Sequence, residues 1–391
     1  MVGKGQERSD KGSPTLPPAE TSIDPSRLPE RLDALPGFGR VREAAAGLPA
    51  YLVGGAVRDL LLGSSRADID VAIEGDFDEL ARRLGGEVRV HPRFSTATVR
   101  VPGLEVDIAS TRAESYPHPG ALPVVRPAPL VGDLARRDFT INAMALPLAE
   151  PAALIDPHGG RTDLEAGQLR VLHPASFRDD PTRALRAARY GARYGLKLEA
   201  GTARLLRDAD LTTVSSDRVE AELRKLAAEP EPRPGFELAS RWGLVALPDG
   251  AGELIERVAE LVTREPWRGV VAAPDAVLAA ARGQGTDEAS QLAAAAPTRP
   301  SKAAMLARGH RGVVLALARA LGGEWLDRYV AEWRDVRLEI DGNDLIAAGV
   351  DQGPAVGRGL AAALEAKLDG ETAGRTAELR VALAAAGKEE R

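Results

Sequence analysis

Residues 51–73, YLVGGAVRDLLLGSSRADIDVAI, limit what this chain can fold into more than any other stretch. A short apolar run ends in a Gly-Gly pair and an amphipathic segment follows. After a linker, two aspartates stand one residue apart among β-branched residues. Glycine permits a sharp turn and a close backbone approach, so Gly54 and Gly55 read as the joint of a strand–turn–helix unit. Backbone N–H groups at such a joint can face a phosphate, and Arg58 adds a side-chain charge within the first turn. In Asp68-Ile69-Asp70-Val71-Ala72-Ile73, strand alternation puts Asp68 and Asp70 on one face and Ile69, Val71 and Ile73 on the other. Two carboxylates side by side repel each other unless a cation sits between them. Mg²⁺ suits that place, because it uses one or two carboxylates plus phosphate oxygens. Asp107, in Leu104-Glu105-Val106-Asp107-Ile108, again faces away from an apolar side. Three carboxylates on adjacent strands suit a two-metal nucleotidyl transfer. Either element alone has a blander reading, a solvated sheet edge or a tight turn. Their order points to a site that grips a nucleoside triphosphate and its metal ions.

The remaining composition narrows the setting. With 391 residues the chain can build two or more cores. Aromatic residues make up only 4%, so those cores must be aliphatic and alanine-based. No segment approaches the ~18 continuous apolar residues of a membrane span, and the first residues lack the apolar centre of a secretory signal. No membrane partner is expected. The absence of cysteine removes disulfides and thiolate zinc sites, which fits the cytoplasm. The histidines His91, His118, His158, His173 and His310 include no metal-binding pair at helical spacing. A net charge of −6 argues mildly against a nucleic-acid partner, so such a partner would need a local positive track.

Along the chain, the first 26 residues are rich in Pro, Ser, Gly and charge and are expected to be disordered. Alternating Val- and Ile-rich runs predict strands near 51–53, 68–73, 87–90, 96–101 and 104–109, with helices near 56–62 and 76–84. Residues 116–129, YPHPGALPVVRPAP, read as a mobile loop. Beyond about residue 174 strand signals fade, and residues 181–194, 202–207, 218–228 and 236–244 read as helices. Residues 274–300 are so alanine-rich that no boundary can be placed. The outline is an α+β chain: a small head with a mixed β-sheet, then a long all-helical part.

Five blocks then occur in order: GGAVRDLLLG, DID, RRDFTINAMA at 136–145, DPHGGRTDL at 156–164 and DDPTRALRAARY at 179–190. Together they resemble the tRNA nucleotidyltransferase and bacterial poly(A) polymerase family, the class II branch of the polymerase-β-like nucleotidyltransferases. The likeness is strong over residues 50–228 and looser over 340–370. It implies a catalytic head (27–150), a base-reading neck (151–235) and an RNA-binding helical body and tail (236–391). It also implies Mg²⁺-dependent, template-independent addition of CMP and AMP, from CTP and ATP, to the 3′ end of tRNA. Carried over by position, Gly54, Gly55 and Arg58 would meet the triphosphate. Asp68 and Asp70 would hold the metal, with Asp107 as the third catalytic carboxylate. Arg137 would bind the nucleotide, Asn142 would lie near the ribose, and Asp180 and Arg183 would mimic a Watson–Crick partner.

The last block also makes physical sense by itself. Pro181 is a good first helical residue and Asp180 a good cap. Arg183, Arg186 and Arg189 or Arg193 then form a stripe, and residues 178–197 hold six basic residues against two acids. An arginine fork offers donors to a base, while a carboxylate accepts from an exocyclic amine. An ordinary solvated arginine face is the plainer alternative. One departure is Asp179, where the family usually has Glu. Within the family, a long segment 111–134 that keeps RAESY leans away from enzymes adding only CC. It leaves A-adding and poly(A) activities open. An RNA-binding protein without catalysis, or a small antibiotic- or toxin-type nucleotidyltransferase, fits fewer of the blocks.

Overall fold

The structure, a computed structural model, describes residues 24–64, 68–91, 95–148 and 153–387. The extension read as disordered lies outside the described residues up to residue 23. The chain divides into two compact units, residues 1–245 and 246–391.

The first unit is built on a mixed six-stranded sheet. Its strands in chain order are β1 (Ala50–Val53), β2 (Ile69–Ile73), β3 (Glu87–His91), β4 (Thr96–Val101) and β5 (Leu104–Ser110). Next come β6 (Arg112–Ser115) and β7 (Val124–Pro127), which form a separate hairpin, and then β8 (Ala145–Pro147). The sheet order is β3-β4-β5-β2-β1-β8, with β2 and β5 parallel and the other neighbours antiparallel. Alternation sorts the two faces as the pleat requires. Ile69, Val71, Ile73, Ala97, Val99, Val106 and Ile108 enter the main core. Asp70 and Asp107 emerge on the opposite face as direct register partners, and Thr98 is opposite Asp107. The helices Phe38–Ala44, Gly55–Leu61 and Asp78–Leu84 supply Phe38, Val41, Val57, Leu60, Leu80 and Leu84 to the same core.

The proline-rich stretch departs from the expected loop. Val124–Pro127 is a strand paired with Arg112–Ser115, because Val124-Val125 favours extended backbone and the prolines flank it or stand at its end. Gly120, at φ 70°, is buried within the stretch, and its N–H donates to the Arg178 carbonyl at 3.2 Å. The short strand β8 closes the sheet edge, where Pro147 costs no ladder bond inside the sheet.

After β8, the regular structure among the described residues of the first unit is helical, apart from two isolated bridges and a two-residue parallel pairing of Gln168–Leu169 with Lys197–Leu198. The neck helix Thr182–Tyr194 sends Ala184, Ala187 and Tyr194 into the core that the sheet and its helices share. It packs on the helices Ser216–Ala227 and Pro232–Arg241. Fully buried Phe139 meets the Tyr190 ring edge-on, with centroids 6.0 Å apart.

The second unit is helical throughout its regular structure. Its undivided alanine-rich segment resolves into the helices Ala273–Arg282 and Thr286–Ala293, parted by Gly283 and Gly285 in left-handed conformation. Trp267 is its largest fully buried side chain, and its indole donates to Asp327 at 2.7 Å. Near its end, Gly359 lets the helices Pro354–Leu368 and Arg375–Ala385 approach closely, since a Cβ there would lie 2.6 Å from the Ala382 carbonyl oxygen. No helix among the described residues is long and apolar enough to cross a membrane.

Replacing Phe139 with Ala should cost about 3–5 kcal/mol by leaving a cavity. The check is a fall in urea midpoint at unchanged slope; a loss below about 1 kcal/mol would show that the site collapses around the gap.

Candidate active site

A hollow of about 550 Å³ lies against the open face of the sheet. Gly55, Arg58, Asp68, Asp70, Arg137, Asn142, Asp180, Arg183, Arg186 and Arg189 all line it. These come from sequence blocks more than a hundred residues apart, and folding brings them to one wall. Gly54 lies directly beside it. At φ 69° and ψ −130° it has a backbone open to glycine, and a Cβ there would lie 2.5 Å from Arg137 Nη1. Asp107 is set apart: with Asp70, Arg137, His91 and Thr98 it lines a neighbouring hollow of about 380 Å³.

The carboxylates form the negative end. Asp70 sits between exposed Asp68, in the residue just before its strand, and Asp107 across the ladder, and Thr98 Oγ1 donates to Asp107 at 2.6 Å. Burial first, then Asp107, with a smaller push from Asp68, raises the Asp70 carboxyl to about 6. Arg137 and Arg58 pull the other way without restoring it. Among the described residues no three acids or histidines converge as a ready-made metal cage. A donor set of paired hard oxygens that still needs positive charge fits a hard divalent cation sharing its sphere with phosphate.

The arginines are held in detail. Arg58 is buried. It donates to Asp59 at 2.9 Å, to Asn142 Oδ1 at 2.5 Å and to the Tyr194 hydroxyl at 2.6 Å, and it lies over the Tyr194 ring. Much of its donor capacity is therefore used inside the protein, although the sequence assigned it to the triphosphate. Asn142 is likewise buried and donates to Asp138 Oδ1 at 2.9 Å. Asp133 is buried beneath the RR pair. It accepts from Arg136 at 2.7 Å and from Arg137 at 3.0 Å, and those arginines hold its carboxyl below the usual range against the effect of burial.

On the neck helix the stripe of arginines is compensated, so the solvated-face alternative fails. Arg186 reaches Asp138 at 3.2 Å, Asp180 at 2.6 Å and Glu222 at 3.7 Å. Arg189 and Arg193 share Glu229 at 3.3 and 3.7 Å. The local positive excess of the sequence is thereby largely neutralised by acids from elsewhere. Asp180 accepts from Thr182 N–H at 3.1 Å, yet the helix begins one residue later than expected, with Pro181 at the capping position. The other Asp180 partners are Arg218 at 2.9 Å and Arg186. Burial raises its carboxyl, but Arg186, Thr182, Arg218 and Arg183 together bring it below the ordinary range. Arg218 also donates to the Gly120 carbonyl at 2.8 Å, joining the hairpin region to Asp180.

The sequence reading missed Asp138, Asp133, Glu222, Glu229, Arg218, Tyr116 and the Tyr190–Tyr194 pair. Asp138 stood in the RRD block, where an acid directly after two arginines was a usable signal. Asp133 stands three and four residues before Arg136 and Arg137, and Tyr190 and Tyr194 stand four apart on the neck helix, so helical spacing was a usable signal there too. Glu222, Glu229, Arg218 and Tyr116 are brought in from distant positions, and no local spacing marks them.

Replacing Arg186 with Met should leave Asp138, Asp180 and Glu222 facing one another and cost about 3 kcal/mol at neutral pH. The lowered carboxyl values make that loss fade as pH falls through and below 3.8, the ordinary Asp value, where the carboxylates protonate. Chemical denaturation of both proteins at pH 7 and near pH 3.5 checks it. For Asp70 the sign reverses. Its raised value means that the native state binds the extra proton between 3.8 and about 6, so stability falls as pH rises through that window. Without divalent ions, Asp70→Asn should raise the melting temperature at pH 7.5 and change it little at pH 3.5; an equal shift at both would contradict the assignment.

Comparison with known proteins places this geometry in a lineage. The model of the Poly A polymerase head domain matches residues 50–170. The A-adding tRNA nucleotidyltransferase of Halalkalibacterium halodurans is 46% identical over 200 residues, 48% of this chain and 47% of that protein. The chain spans less than half the length of the A-adding relatives it matches first. The CC-adding tRNA nucleotidyltransferase of Deinococcus radiodurans is 36% identical over 336 residues, 82% of this chain and 85% of that protein. Among solved structures, the Thermotoga maritima CCA-adding enzyme complexed with tRNA shows 28% identity and a TM-score of 0.63. That likeness covers 94% of this chain and 97% of the other. With the five blocks in order on one fold and a relative matched over most of both lengths, the chain belongs to the tRNA nucleotidyltransferase family.

Proposed function

We propose that the chain adds CMP and AMP, from CTP and ATP, to the 3′ end of tRNA without a nucleic-acid template. The observation that carries this reading is the single hollow shared by Asp68, Asp70, Gly55, Arg137, Asp180 and Arg183. In it the triphosphate lies along the Gly54-Gly55 turn and Arg137, with Arg58 fixing the adjoining wall. Asp180 accepts from the exocyclic amine of cytosine or adenine, and Arg183 donates to a ring acceptor. Uracil and guanine present the opposite pattern at those edges and are rejected. Asp68 and Asp70, with Asp107 beside them, would hold Mg²⁺, which supplies charge neutralisation at the phosphates and activation of the attacking hydroxyl. The helical unit beyond residue 245 would hold the RNA, and the absence of cysteine fits a cytoplasmic enzyme.

A second reading, addition of the terminal A alone, is favoured by the A-adding relatives, 46% and 49% identical over their matched parts. One experiment separates the readings. The purified protein is incubated with Mg²⁺, single labelled nucleotides, and tRNAs lacking CCA or ending in CC. Incorporation of both CTP and ATP supports full CCA addition. ATP alone on tRNA ending in CC supports the A-adding reading, CTP alone a CC-adding one, and long A tails a poly(A) polymerase. Neither nucleotide entering any RNA would overturn the proposal. Asp70→Ala should lower incorporation at least a thousandfold, consistent with loss of a group that acts on the reacting charges; normal turnover would refute its role.

A further inference from the structure

Eight arginines line the hollow, and seven of them touch a carboxylate: Arg58, Arg136, Arg137, Arg186, Arg189, Arg193 and Arg218. Arg183 is the exception among the described residues, although it is only 3% exposed. Its guanidinium donates to neutral acceptors: Ser176 Oγ at 2.6 Å and the Arg136 carbonyl at 2.9 Å, with the Tyr116 hydroxyl at 3.5 Å. His173 Nε2 stands 3.4 Å from Nη1, and the buried Nε has no partner. Its charge is felt by Asp180 and Asp138, but no carboxylate touches the fork, and a buried guanidinium without a contacting anion is costly and open to a ligand that offers one. Ser176 and His173 do not line the hollow themselves. They stand behind Arg183.

We propose that His173, as a neutral acceptor backing Arg183, is a positioning residue for nucleotide selection; this rests on the function proposed above. Nε2 can accept only when the ring is neutral and its proton is on Nδ1. Protonation would set one cation against another at 3.4 Å and drive the Arg183 fork out of register with the base. The groups acting on His173 are Arg183 from the neck helix and Asp179 from the short helix Ser176–Asp179. Burial and then Arg183 hold the imidazole below its ordinary 6.5, against a weaker pull from Asp179. The ring is therefore neutral at pH 7, and the change falls below pH 6.5. Selectivity should be intact above that point and decline as the solution becomes more acidic.

The test measures KM and kcat for CTP, ATP and UTP from pH 5 to 8 on a fixed tRNA, for the wild type, His173→Gln, His173→Ala and His173→Lys. Glutamine keeps an uncharged acceptor at a similar reach. Its preference for CTP and ATP over UTP should match the wild type at pH 8 and lose the acidic decline. Alanine should lower that preference roughly tenfold, the scale of one hydrogen bond to a charged group. Lysine should lower it at every pH, through KM more than kcat. Melting temperatures of all variants accompany the kinetics, so a folding defect in the Ala or Lys protein leaves the Gln pH profile as the deciding measurement. An acidic decline in His173→Gln identical to the wild type, or no such decline in the wild type, overturns the inference. Wild-type protein that incorporates nothing overturns the underlying function instead.

Discussion

Arg186 sets the geometry of the hollow, because its one guanidinium meets carboxylates from separate parts of the chain. Asp138 comes from the turn after the RR pair, Asp180 from just before the neck helix, and Glu222 from the next long helix. Buried ion pairs of this kind add little net stability, since desolvation offsets most of the attraction. They do fix register. Any shift of the neck helix along the sheet would separate Arg186 from at least one carboxylate and leave a charge buried alone. Asp180 and Arg183, the residues proposed to read the base, stand six and three positions before Arg186, so its register becomes theirs.

In the hollow, charged groups meet a contacting group of opposite sign except at two places of opposite sign. Asp70, between Asp68 and Asp107, keeps an excess of negative charge that its nearby arginines do not relieve. Arg183 keeps a positive charge surrounded by neutral acceptors. Charges left uncompensated in a cleft are the places where a ligand gains most by binding. In the proposed reaction the negative place suits a cation with its phosphates and the positive place suits the acceptor edge of a base.

Much of this was legible in the sequence where the signal was periodic. The strands Ile69–Ile73, Glu87–His91, Thr96–Val101 and Leu104–Ser110 fall within about a residue of the spans read from β-branched alternation, since one buried face forces a period of two. The short strand Ala145–Pro147 carries too few residues to show a period. Val124–Pro127 was hidden by prolines that mark its ends as readily as a loop. The same divide runs through the site. Residues in ordered blocks, such as Asp70, Asn142 and Arg183, line the hollow as expected. The acids that neutralise the arginine stripe, Glu222 and Glu229, lie on another helix or just beyond its end, and no local spacing marks them.

Arg58 shows why a motif's identity and a residue's work are different questions. Its place at the start of a helix after Gly-Gly suggested a side chain turned toward phosphate. The fold packs its guanidinium over Tyr194 and bonds it to Asn142 and Asp59 while Arg58 also lines the hollow. Tyr194 is the last residue of the neck helix, and Asn142 bonds to Asp138, which Arg186 grips from that same helix. The Gly-Gly turn and the neck helix are therefore linked twice, through Tyr194 and through Asn142 and Asp138. A displacement of one would strain buried charge on the other. In the proposed reaction the triphosphate position and the base position are therefore set together, and an incorrect base would disturb the geometry at the reacting phosphate as well as the contacts at its own edge.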